Sequence, residues 1–224
     1  MNNHYNSHSD LVMGAAQVFH WATKRHFLLW FTGEEPKRDR RVEKVLRRLS
    51  VAKRLRAVRY GNKLIYAVPR KTKGFDGSNV YHGLSCTECL VRCFRSDTNC
   101  EVIPEKLFRG FGCVPEWGIR YPNGSILLLE FCTKDNFYFS GNMRGKLEAY
   151  KENIWRIEEE FQAEGVVLFV IDIPRDAVKR FVENTDDDYL FFTDYETFLK
   201  APIGKQLQEP IYIWVDGKEY GLNV

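Results

Sequence analysis

The chain has 224 residues, of which 44% are hydrophobic and 14% aromatic, enough to bury a core in one large domain or two small ones. No run approaches 18 apolar residues, and Met1–Asp10 lacks the basic-then-apolar order of an export signal; neither a membrane nor secretion is expected, and the expected location is cytoplasmic. The net charge of +3 hides a division: residues 1–75 hold 17 Lys/Arg against 5 Asp/Glu, a net +12, whereas residues 76–224 hold 16 against 25, a net −9.

Residues 10–21 predict a first helix capped near Ser9 or Asp10. Thr23 is placed to cap a second helix carrying Phe27, Leu28, Trp30 and Phe31, and Gly33–Pro36 breaks the chain. A third helix is predicted over Arg38–Leu49, because Val42, Val45, Leu46 and Leu49 fall at i, i+3, i+4 and i+7. Two alternating runs, 55–60 and 63–68, flank Gly61-Asn62 and predict a β-hairpin. Helix, helix, basic helix, hairpin is the order of a winged helix-turn-helix, assigned to residues 1–72. Such a domain lays its third helix in the major groove of double-stranded DNA. The expected DNA contacts are Lys37, Arg38, Arg40, Arg41, Lys44, Arg47 and Arg48, with Arg56, Arg59 and Lys63 from the wing. A merely solvated charged face, a protein-binding winged helix and RNA binding are the alternatives. Residues 70–80 are polar and glycine-containing, as a linker is.

A second domain is assigned to residues 80–224. Ser85-Cys86-Thr87-Glu88 matches a capping box and predicts a helix start at Ser85, with Glu88 as its N3 residue. An extended piece at 100–103, a strand at 112–121, a turn at Pro122-Asn123-Gly124 and a buried strand at 125–132 follow. A long helix is predicted over 142–163 with Met143, Leu147, Tyr150, Ile154, Ile157 and Phe161 buried. A strand at 165–172, a short helix from Pro174 and a strand at 189–192 close the pattern.

Glu130 follows a run of four apolar residues, Ile126–Leu129, where a lone carboxylate is costly unless paired or bound to a cation. Glu116 lies across a tight turn from it. Two such carboxylates make a hard-oxygen site for Mg²⁺ or Mn²⁺, and the bound ion would activate water for attack at a phosphoryl group. Cys86, Cys89 and Cys93 share one helix face and are expected to pack as small hydrophobes rather than to ligate metal. His4 and His8 are the one metal-spaced histidine pair, and Asp186-Asp187-Asp188 lacks EF-hand spacing. No phosphate-binding glycine loop occurs, so no nucleotide cofactor is expected.

Pro115-Glu116, a turn and Glu130-Phe131-Cys132 within an αβββαβ order resemble the PD-(D/E)XK nuclease superfamily. With the winged helix ahead of them, residues 10–172 resemble the replication-relaxation proteins of plasmids and mobile elements. The expected fold class is therefore α+β / α/β, a winged helix-turn-helix followed by a restriction-endonuclease-like domain. The resemblance implies a Mg²⁺- or Mn²⁺-dependent endodeoxyribonuclease acting in the replication or mobilisation of such an element, with Glu116 and Glu130 as metal ligands. The superfamily's lysine falls at Cys132, which leaves Lys134 or Lys146 to supply it. The alternative is a non-catalytic DNA-binding regulator with a degenerate nuclease fold. A homodimer is compatible with either.

Overall fold

The computed structural model describes residues 7–33, 40–69, 76–94, 100–139, 142–183, 185, 187–203, 212–215 and 218–221; His4, Lys37, Arg38 and Asp186 lie outside them. The chain divides into two compact units, residues 1–91 and 92–224. Both mix helices and strands.

Unit 1 runs α1 (His8–Val18), β1 (Ala22–Thr23), α2 (Lys24–Thr32), α3 (Arg40–Val51), β2 (Arg56–Tyr60) and β3 (Lys63–Ala67). Its core takes Val12, Ala15 and Ala16 from α1, Phe27, Leu28 and Leu29 from α2, and Val42, Leu46 and Leu49 from α3. Thr23 caps α2, and its backbone N–H donates to His26 Nδ1 at 3.2 Å. Gly33, at φ +66°, stops α2, its N–H donating to the Leu29 carbonyl at 2.8 Å. The hairpin turns at Gly61, whose φ of +57° suits the position after Tyr60, and Tyr60 pairs with Lys63. Two-residue β1 was not expected. It pairs antiparallel with β3, giving the order β1-β3-β2.

Helix α4 (Gly77–Cys93) corrects the capping-box reading of Ser85. The helix starts eight residues earlier, where Asp76 Oδ1 accepts from the Asn79 N–H at 2.8 Å and from the Ser78 hydroxyl at 2.9 Å. Its first turns are apolar enough to be held: Val80 and Leu84 pack with Trp21, Ile65 and Ala67. Ser85 and Glu88 are therefore mid-helix residues, and the segment expected as a linker is helical from Gly77.

Unit 2 runs β4 (Glu101–Pro104), a 3₁₀ turn at Glu105–Leu107, β5 (Trp117–Arg120), β6 (Ser125–Cys132), α5 (Lys134–Phe139), α6 (Asn142–Phe161), β7 (Glu164–Ile171), α7 (Arg175–Val182), β8 (Leu190–Asp194), α8 (Tyr195–Lys200), β9 (Tyr212–Val215) and β10 (Lys218–Gly221). These strands form one mixed sheet of order β10-β9-β8-β7-β6-β5-β4. β4, β5 and β6 make an antiparallel meander; β6, β7 and β8 are parallel. Every β6 residue from Ile126 to Cys132 is buried, as in a strand covered on both faces. The crossover from β6 to β7 is made by α5 and α6. Met143, Leu147, Tyr150, Ile154 and Ile157 of α6 join Ile126, Leu128 and Cys132 of β6 in one apolar cluster. The expected strand at 112–121 is shorter than the sequence pattern, since regular pairing begins only at Trp117. Among the described residues no helix is long and apolar enough to cross a membrane.

Gly118 sets how closely the β4–β5 connection can lie on the sheet. A Cβ there would meet Phe108 Cζ at 2.5 Å, and Phe108 is fully buried. Gly118→Ala is expected to cost about 1–3 kcal/mol by overpacking, measured as a lower urea midpoint followed by tryptophan fluorescence. An unchanged midpoint would show that Phe108 has room to move.

Candidate functional site

The basic surface of unit 1 is built on α3. Val42, Leu46 and Leu49 face inward; Arg40, Lys44, Arg47 and Val51 recur at i, i+4, i+7 and i+11 on the opposite side, and all four are exposed. Arg41 and Arg48 flank this stripe, also exposed. The helix's one acid, Glu43, is paired with Lys24 at 3.3 Å, and the Arg48 guanidinium donates to the Ser9 hydroxyl of α1. A shallow open depression is lined by Lys44, Arg47, Arg48, Val51 and Ala52. Arg56, Arg59 and Lys63 are exposed on the hairpin. Lys53 and Arg54, exposed between α3 and β2, extend the same charge and were not anticipated.

Glu88 is a buried acid of unit 1 with a structural job. Its carboxylate accepts from Arg25 Nη1 at 2.9 and 2.6 Å and lies 2.9 Å from His26 Nε2. Because His26 Nδ1 accepts the Thr23 N–H, the neutral ring carries its proton on Nε2 and donates it to Glu88. Burial alone would raise the Glu88 pKa; His26 and Arg25 outweigh it and hold the carboxyl well below its ordinary range. The link ties α4 to the first turn of α2.

In unit 2 the sequence-predicted acid Glu130 sits on β6 at 1% exposure. Tyr150 donates its hydroxyl to Glu130 Oε1 at 2.8 Å, and the Lys146 ammonium donates to Oε2. Lys146 and Tyr150 are one turn apart on α6, so both point to the same place on the sheet. Glu116 lies one residue ahead of β5. Its N–H donates to the Leu129 carbonyl at 3.0 Å, the residue that Trp117 already faces, so it lies where the regular β5–β6 pairing ends, beside Glu130 in the ladder. Burial pushes the Glu130 pKa up, Lys146 pulls it down, and the Glu116 charge pushes it up again; the net direction is upward. Burial would lower Lys146, but Glu130 and Glu116 raise it, so the ammonium keeps its proton. Two thiols border the cluster. Cys113 and Cys132 are both pushed to about 11, chiefly by burial, and are neutral thiols near pH 7.

Of the two lysines expected as alternatives, the structure brings Lys146 to Glu130. Lys134 is exposed at the start of α5, turned into that helix by the short segment after β6. Tyr150 was expected only as a core residue, although its place four residues after Lys146 is what pairs the two on one carboxylate. Cys86, Cys89 and Cys93 are buried free cysteines along α4, as core residues are. Asp187 pairs with Lys151 at 2.7 Å.

No protein family, curated protein or solved structure matches the chain. The chemistry of the Glu130 cluster rests on its own geometry. Mg²⁺ keeps several waters and requires open octahedral space. Here both oxygens of a buried carboxylate already face protein donors, one of them cationic. Two unit charges 4 Å apart interact by about 4 kcal/mol at an effective dielectric near 20, and a divalent ion beside the ammonium would be repelled roughly twice as strongly. The residues as arranged do not fit a divalent ion at Glu130.

Removing the Tyr150 hydroxyl leaves Glu130 Oε1 short of a donor. Tyr150→Phe is expected to lower stability by about 1–3 kcal/mol in urea unfolding; a loss under ~0.5 kcal/mol would mean that water replaces the phenol.

Glu88 makes the acid response of unit 1 predictable. Its folded pKa is depressed, so its contribution is present above the ordinary value of 4.5 and is lost as pH falls toward the lowered one. Glu88→Gln should melt at a lower temperature near pH 7 and show a shallower decline in melting temperature from pH 5 to pH 3. Parallel wild-type and variant declines would rule out this linkage.

Proposed function

We propose that this protein binds double-stranded DNA through unit 1 acting as a winged helix, with α3 in the major groove and the β2–β3 hairpin against phosphates. The carrying observation is the one-signed outward face of α3. Arg40, Arg41, Lys44, Arg47 and Arg48 are all exposed there, while Glu43 is drawn aside by Lys24. The element order and the β1-β3-β2 sheet support the same reading, because they leave α3 uncovered on its basic side and set Arg56, Arg59 and Lys63 beside it in sequence. The resemblance to replication-relaxation proteins suggests the setting, replication or mobilisation of a plasmid or mobile element.

Hydrolysis of the bound DNA by Glu116 and Glu130 is left out of this proposal, since the carboxylate that would lead it is held by Lys146 and Tyr150. Unit 2 is then the non-catalytic part of a DNA-binding regulator or replication accessory.

The test is fluorescence anisotropy of the full chain on duplex DNA, single-stranded DNA and RNA across a salt series. Duplex affinity should exceed the other two and fall steeply with salt. Each phosphate contact removed should flatten the log–log slope by about 0.9. Lys44→Glu with Arg47→Glu should abolish duplex binding while the fold, read by circular dichroism, persists. Duplex affinity that survives this double charge reversal would refute the placement of α3.

A further inference from the structure

We propose that Lys146 is the resident cation of the unit 2 carboxylate cluster: its ammonium takes the place that a hard divalent ion would occupy at Glu130, so the wild-type chain binds no Mg²⁺ or Mn²⁺ there, and a chain without that amine does. The inference concerns unit 2 alone and does not depend on DNA binding by unit 1.

Three observations carry it. Glu130 is 1% exposed on a central strand, and an ionised carboxylate at that depth requires a counter-charge. Lys146 supplies one by a direct hydrogen bond to Oε2. Glu116 acts electrostatically on Glu130, Lys146 and Tyr150 alike, so a second carboxylate stands within the field of the same ammonium. Two acids sharing one cation is the charge arrangement of a metal site, with the cation supplied by the chain. The Lys146 side chain remains 37% exposed, so shortening it opens a path from solvent to Glu130 rather than a sealed void. The donors then left at the vacated position are the two oxygens of Glu130 and the Tyr150 phenol, with the Glu116 charge adding to the field, a hard-oxygen set that suits Mn²⁺ or Mg²⁺.

The experiment titrates Mn²⁺ into the full-length chain, reading free Mn²⁺ by electron paramagnetic resonance and thermal melting in parallel. It compares wild type, Glu130→Gln, Lys146→Arg, Lys146→Ala and the double variant Lys146→Ala/Glu130→Gln. Wild type and Lys146→Arg should show no Mn²⁺ site that depends on Glu130, because both keep the positive charge. Lys146→Ala should bind one equivalent, and its melting temperature should rise by roughly 5–10 °C when Mn²⁺ stands about a hundredfold above its Kd. The double variant should lose both effects. A wild-type Mn²⁺ site that Glu130→Gln removes would overturn the proposal, as would a folded Lys146→Ala that binds none. If Lys146→Ala folds only poorly in metal-free buffer, refolding with Mn²⁺ decides the matter: recovery that requires Glu130 supports the proposal, and no recovery overturns it.

Discussion

A buried carboxyl group inside a sheet, held by a lysine and a tyrosine, is the constraint on which unit 2 is organised. Glu130 is 1% exposed on a strand paired on both sides, so water is largely excluded from it. Its partners come from α6, as Lys146 and Tyr150. Residues four apart on a helix stack on one face. Binding both to one carboxylate fixes the rotation of α6 about its axis and its position along β6. The apolar stripe of Met143, Leu147, Ile154 and Ile157 is then aligned with Ile126 and Leu128. A buried ion pair contributes little net stability over an apolar substitute, whereas breaking one is costly. Its effect here is to exclude other registers of helix on sheet.

Unit 1 has a buried acid too, and comparison of the two shows what decides their behaviour. Both Glu88 and Glu130 are penalised by burial. Glu88 faces a guanidinium through two short bonds and an imidazole N–H, and its pKa falls. Glu130 faces one ammonium and one phenol, with Glu116 nearby, and its pKa rises. The difference is the count of cationic donors against like charges. Glu88 is thus a clamp, fully satisfied where it is. Glu130 is balanced on a single lysine, and the character of its surroundings turns on that one side chain.

The parts of this structure legible in the sequence are those set by local pattern. The third-helix stripe, the Gly61-Asn62 hairpin, the apolar 125–132 strand and the Thr23 cap all appear where periodicity, turn chemistry and capping place them. The Ser85 start was misplaced because a local capping pattern does not register Trp21, some sixty residues away, against which the upstream turns of α4 pack. β1 is two residues long and exists only through its pairing with β3. β9 likewise joins the sheet through a residue twenty positions earlier, Phe192 of β8, and β10 follows by pairing with β9. In the carboxylate cluster, Glu130 was legible because a charge at the end of an apolar run demands an explanation. The role of Tyr150 was not, because a tyrosine in a buried helical stripe is already accounted for as core, and only the strand opposite shows that its hydroxyl has an acceptor.

The same accounting explains why the charge on α3 is available to a partner. A helix with five exposed cations repels itself, and the acid on its own surface, Glu43, is the obvious internal counter-charge. Glu43 instead holds Lys24 of α2, and Arg48 on the other flank is tied to Ser9 of α1. These contacts brace the helix from both sides without covering the stripe of Arg40, Lys44 and Arg47. The Glu88 link holds the start of α2, where Lys24 itself emerges, so the brace on α3 is anchored in turn to α4. Among the described residues, Glu43 and Glu88 are thus both engaged in fixing the frame, while Arg40, Lys44 and Arg47 stay exposed on the outer face of α3. Under the proposed function, a surface braced in this way would lose little conformational freedom on binding a polyanion, which is the condition under which positive charge converts into affinity.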